Sequence, residues 1–153
     1  WDEAGTPLQP LAEALERGVF LDVGHGAGSL DQRVARAAIQ AGARCFSIST
    51  DAHIRNVGGA VRDLPHTMSK FLAFGMSLSE VINAVTAIPA KQLGLTDWCG
   101  HLSQRSTLFR LRPVREQDPP FVDSLGASID VQHVIEPVAT IRDGRVYWIG
   151  QTR

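Results

Sequence analysis

Two short apolar runs, separated by one helix-length amphipathic stretch, constrain this chain more than any other feature. Residues 19–24, VFLDVG, read as a strand covered on both faces, and so do residues 45–50, CFSIST. Between them, LDQRVARAAIQAGA places apolar side chains at Val34, Ala37, Ala38 and Ala41. Ser29 stands where an N-cap belongs and Gly42 where a C-terminal cap belongs. A strand, a helix and a strand in that order require parallel strands and a right-handed crossover.

The flanking sequence divides in two. Residues 8–17, LQPLAEALER, predict an amphipathic helix that ends at Gly18. Residues 54–63 read as a loop with Gly58 and Gly59. Pro65 suits the first turn of a helix reaching Phe74 and stopped by Gly75. Ser77 and Glu80 have capping-box spacing ahead of a helix through Ala87, and Pro89 opens a short helix closed by Gly94. Beyond about Gly100 the pattern turns to strands: STLFRLRPV, ASIDVQHVI, and a hairpin in PVATIRDGRVYWIG around Asp143-Gly144. The expected organisation is an α/β region over residues 1–100 and a β-rich segment over 101–153.

Composition narrows the class. Of 153 residues, 44% are apolar, and 15 basic side chains face 16 acidic ones, as in an ordinary globular domain. No basic cluster offers a footprint for nucleic acid, and no apolar run approaches the length of a membrane span. Cys45 and Cys99 form no CxxC pair, so a reducing cytoplasm is the expected setting. The chain begins at Trp1 in polar sequence, which suggests the latter part of a longer protein.

The glycine-rich loop LDVGHGAGSL, residues 21–30, admits three chemical readings. As a dinucleotide fingerprint, Gly24-x-Gly26 needs a glycine at 29, where Ser29 stands; the alternative start at Gly26 meets Asp31. As an esterase-type oxyanion loop, it needs a Gly-x-Ser-x-Gly elbow, and the chain has none. As the mouth of a barrel, it puts His25 and Asp51 just past the ends of two consecutive strands, roughly 5 Å apart if these are neighbours. A plain reading stands beside all three: Asp51 caps a turn, and His25 is a satisfied loop histidine.

The stretches LDVGHGAGS, SISTDAH, DLPHTMSKFLAFGMSLSEVINAVTAIPAKQLGL and PVATIRDGRV together resemble the amidohydrolase superfamily. The nearest likeness is to its amidohydrolase/deacetylase metallohydrolase branch, related to dihydroorotases and D-aminoacylases, and it runs from about Leu11 to Tyr147. The resemblance implies the C-terminal part of a (β/α)8 barrel, strands seven and eight with the closing helices, followed by strands of a small β-sandwich. It implies a C–N bond hydrolase acting on a cyclic amide or an N-acyl amino acid.

By the same resemblance, Asp51 matches the carboxylate that ends strand eight, binds a divalent metal and moves the proton between water and leaving group. Zinc is the expected ion, one or two in the whole site. His25 and His53 are expected on the substrate side, and Arg55 and Asn56 either order the same loop or touch substrate. His66 and His133 are expected to be surface or satisfied side chains, His101 has no strong claim, and Trp98 and Trp148 are expected in packing. The family's H-x-H pair and its ligands on strands four to six do not occur in these residues, so this chain alone is not expected to hold the metal. Its partners would be a small amide substrate and the missing N-terminal part of the same barrel, with oligomerisation left open. On this reading the isolated chain exposes sheet edges and is poorly soluble or partly unordered. A noncatalytic remnant acting as an interaction module, and a dinucleotide-binding α/β domain, are the alternatives.

Overall fold

The structure is a computed structural model that describes residues 1–44, 46–97 and 105–150. Helix α1 (Gln9–Glu16) leads to strand β1 (Leu21–Gly24), helix α2 (Gln32–Gln40) and strand β2 (Phe46–Ser49). Strands β1 and β2 pair in parallel, Leu21 opposite Phe46 and Gly24 opposite Ser49, as the strand–helix–strand pattern requires. Cys45, and Trp98, Cys99 and His101 with the expected boundary near Gly100, lie outside the described residues.

The N-cap of α2 differs from expectation. Asp31, not Ser29, caps it, its carboxylate accepting from Arg33 N at 2.8 Å. The Ser29 hydroxyl is bound inside the preceding loop, to Gly26 N and Gly24 O, so one local contact has taken the place of another. Gly42 does close the helix, at φ 95°, where the left-handed backbone favours glycine.

Helix α3 (Leu64–Ala73) starts on Asp63, whose carboxylate accepts from His66 N at 2.7 Å, with Pro65 in its first turn. Helix α4 (Leu78–Val85) carries both halves of the capping box between Ser77 and Glu80. Those backbone bonds, and then Arg44 at 2.6 Å, hold the Glu80 carboxyl down at about 2. Helix α5 (Ala87–Gln92) begins at Ala87, so Pro89 falls within it instead of opening it.

Strands β3 (Arg105–Pro113), β4 (His133–Arg142) and β5 (Arg145–Trp148) form an antiparallel sheet in that order. The Asp143-Gly144 turn has positive φ at both residues, as a type I′ hairpin needs. Among the described residues, 127–132, expected as strand, join no ladder beyond a single bridge of Ser128 to Val122. Trp148, expected in packing, is exposed.

Helix α3 is the keel of the molecule, with His66 through Phe71 all buried. Phe71, Phe74 and Met68 pack with Phe46 and Ile48 from the parallel strands. The same core continues through Phe121, Ile129, Val131, Val134 and Ile135 of the later segment. Ser69 Oγ accepts from Ile135 N at 2.9 Å and so docks β4 directly on α3. Truncating Phe71, 1% exposed, to alanine would cost about 3–5 kcal/mol.

Candidate functional site

Alternation along the parallel pair sorts its side chains. Leu21, Val23, Phe46 and Ile48 face the helices, and Asp22, Gly24, Ser47 and Ser49 face the other way. On that polar face the Asp22 carboxylate accepts from Ser47 Oγ at 2.6 Å and from Ser49 Oγ at 2.5 Å. Asp51 continues the stripe just past β2. A Cβ placed on Gly24 would lie 3.5 Å from Asp51 Cβ and 3.6 Å from Asp22 Oδ2, so this glycine separates the two acids. A Cβ on Gly26 would lie only 2.5 Å from Asp51 Oδ2. The carboxylate therefore rests on bare backbone at the end of β1.

Asp51 is held in an uncommon conformation, with φ at 44°. Asn56, 5% exposed, fixes it: Nδ2 donates to Asp51 O at 2.8 Å, and Oδ1 accepts from His53 N at 2.8 Å. Of the two roles expected for Asn56, loop ordering is the one its bonds perform. His53 lies in this loop with its ring exposed and its Nδ1 accepting from Arg55 N at 3.2 Å. A strained backbone fixed by a buried amide and carrying an exposed carboxylate is the kind of device found at functional sites.

His25 takes a place different from the one expected. It follows Gly24, so its ring falls on the helix-facing side, wholly buried, instead of beside Asp51. Its Nε2 is 2.7 Å from Lys70 Nζ, and its Nδ1 is 3.4 Å from Gly26 O. Burial first, and then the Lys70 charge, keep the imidazole below its ordinary value. Lys70 is itself fully buried, donating also to Ala60 O at 2.6 Å and Val122 O at 2.7 Å; burial pushes it down to about 8. A ring so engaged supports the loop from behind.

The later segment clamps the same loop, which pattern reading missed. Ser124 Oγ donates to Gly26 O at 2.8 Å and accepts from Leu30 N at 2.9 Å, and Ser124 N donates to Leu30 O. Asp123, 1% exposed, accepts from Leu125 N and Ala127 N and reaches Gln32 N at 3.3 Å. Within the loop, Ser29 Oγ accepts from Gly26 N at 2.6 Å and donates to Gly24 O at 2.7 Å. The only sequence signal was VDSLGAS itself, a cluster of turn formers between apolar residues.

His66 is buried against expectation. It stacks on Phe121 at 4.2 Å, and neither ring nitrogen has a hydrogen-bond partner among the described residues. Burial, then the Lys70 charge, push it down to about 4. His133 is exposed on β4, as expected.

Among the described residues, no three His, Cys, Asp or Glu side chains gather where they would hold a metal ion. A catalytic zinc takes about three protein ligands. Asp51 offers one carboxylate and His53 faces solvent beside it, so the residues present do not by themselves fit a metal.

No described family profile matches the chain. A deacetylase of Enterococcus faecalis is 33% identical over 155 residues, covering 95% of this chain and 40% of its own length. A deacetylase of Brucella anthropi is 47% identical over 79 residues, 52% of this chain and 20% of that protein. Among solved structures, an adenine deaminase superposes with TM-score 0.83 at 33% identity, over 93% of this chain and 39% of its own. A dihydroorotase superposes with TM-score 0.76 at 32% identity, over 95% and 40%. The chain thus spans about two fifths of the length of the relatives it matches most fully. On sequence and fold alike, it belongs to the amidohydrolase superfamily.

Proposed function

We propose that this chain is the part of a C–N bond hydrolase that carries its proton-moving carboxylate, Asp51. The observation that bears this reading is the seat of Asp51: past the end of a parallel strand, at φ 44°, against the bare Cα of Gly26. The carboxylate accepts a proton from the attacking water and returns it to the departing nitrogen, so the amide leaves as amine and acid. The polar face of β1 and β2 is then the interior of a (β/α)8 barrel, and these strands are its seventh and eighth. The sheet of β3, β4 and β5 belongs to a small β-sandwich.

An N-acyl amino acid is the favoured substrate, in keeping with the deacetylase names of the relatives, and a cyclic amide is the second choice. In the whole protein Asp51 is also proposed as one ligand of a divalent metal, zinc above others, with the other ligands drawn from outside these residues. His53, exposed beside Asp51, is the substrate-side residue of this chain; His25 serves as a support.

The test is turnover of a panel of N-acetyl amino acids and cyclic amides by the full-length protein and its Asp51→Asn variant. Loss of about 10²-fold or more in kcat is expected. Near-normal turnover in the variant would remove Asp51 from the mechanism. Zinc content of both proteins, measured by elemental mass spectrometry, checks the ligand role separately. No helix among the described residues is long and apolar enough to cross a membrane.

A further inference from the structure

We propose that Lys70 is a positioning residue for this site: by donating to His25 Nε2 it fixes the imidazole as the Nδ1–H tautomer and so sets the Gly24–Gly26 backbone on which Asp51 rests. The inference rests on the reading of Asp51 as the proton-moving carboxylate. It concerns a buried cation for which that reading has no use.

The ammonium has three N–H groups, and the structure gives it three acceptors: His25 Nε2, Ala60 O and Val122 O, at 2.7, 2.6 and 2.7 Å. They come from the loop after β1, the loop after β2 and the later segment, and Lys70 ties all three to α3. None of the three is a carboxylate. The nearby Asp123 spends its oxygens on backbone N–H groups of its own turn and of Gln32. A fully buried ammonium among neutral acceptors is a poor way to gain stability, and an apolar side chain of similar volume would suit the core better. Its directional effect is what distinguishes it.

An ammonium has no lone pair, so His25 Nε2 must accept and the ring proton must sit on Nδ1. That nitrogen faces Gly26 O at 3.4 Å. Gly26 is the residue whose missing Cβ makes room for Asp51 Oδ2. Lys70, His25, Gly26 and Asp51 thus form a chain of direct contacts from the core to the polar face.

The test combines imidazole NMR with kinetics on the full-length protein. In ¹⁵N–¹H long-range spectra, with His25 assigned by its loss in His25→Gln, wild-type His25 is expected as the neutral Nδ1–H form throughout the neutral range. An Nε2–H tautomer, or titration near the ordinary histidine value, would overturn the proposal, and this reading needs no variant of Lys70. Lys70→Met is expected to lower kcat by about 10- to 100-fold with KM within about twofold. His25→Leu should fall as far. His25→Gln, whose amide oxygen can accept from Lys70, should recover most of that loss. Wild-type kcat in Lys70→Met, or equal losses in His25→Leu and His25→Gln, would also overturn it. Unimpaired Asp51→Asn would instead sink the proposed reaction and leave the tautomer result standing.

Discussion

The Asp51 carboxylate lies where a side chain on Gly26 would have to be: Oδ2 is 2.5 Å from the position of a Cβ there, and Ser29 Oγ is 2.9 Å from it. The two residues lie just past the ends of neighbouring parallel strands, and the absence of one atom lets the acid settle against the other's backbone. Gly26→Ala is therefore expected to displace the carboxylate and lower turnover by about 10²-fold, because a shift of about 1 Å suffices for that. Gly28, two residues on, has open space around its Cα and no positive φ, so Gly28→Ala should leave turnover within about twofold. Steady-state kinetics on the pair decides it; equal losses would show that the loop's general flexibility matters, not the seat of Asp51.

Asn56 should be as sensitive as the site itself. Asn56→Ala removes the donor to Asp51 O and the acceptor for His53 N, both at 2.8 Å. Leaving these groups poorly satisfied is expected to cost about 1–3 kcal/mol. It also frees Asp51 from its left-handed backbone, so kcat should fall together with stability. Denaturant unfolding and kinetics on one preparation check both; unchanged kcat would show that Asp51 holds its conformation without Asn56.

Ser124 links the later segment to the site loop through Gly26 O and the buried Leu30 N. In Ser124→Ala the Leu30 N–H loses its acceptor, at an expected cost of about 1–3 kcal/mol. Amide hydrogen exchange at Leu30 and Gly26 should rise more than at Phe71, whose surroundings do not change. Equal protection before and after substitution would show that the clamp holds nothing.

His66 makes stability fall in acid. Its value is about 4 in the fold, against 6.5 when free. Between those values the unfolded chain binds the proton and the folded chain does not, so stability present above 6.5 is lost as pH falls toward 4. Allowing for solvent screening, the loss by about pH 5 is on the order of 1–2 kcal/mol. His66→Phe keeps the stack on Phe121 and removes two unpartnered nitrogens. It should raise Tm at neutral pH and flatten the acid slope, though the lowered His25 still contributes to that slope. A lower Tm in the variant would show that the ring nitrogens do find partners.

Local pattern determined a good deal. The apolar runs, Pro65 in the first turn of α3, the capping box at Ser77, the closing Gly42 and the Asp143-Gly144 turn each act within a few residues, and sequence displays such forces directly. The parallel pair followed from them by topology, and with it the position of Asp51 just past the second strand. The plain count of alternation also held enough to put His25 and Asp51 on opposite faces, since Gly24 precedes the one and Ser49 stands two before the other.

Only the tertiary structure decided what those side chains meet. His25 was drawn to a lysine 45 residues away, and Gly26 to a serine 98 residues away. The strand expected before His133 became instead a packed segment that closes the core through Ile129 and Val131. Hydrogen bonds across such separations depend on where the hydrophobic core places two backbones. No periodicity along the chain encodes that meeting.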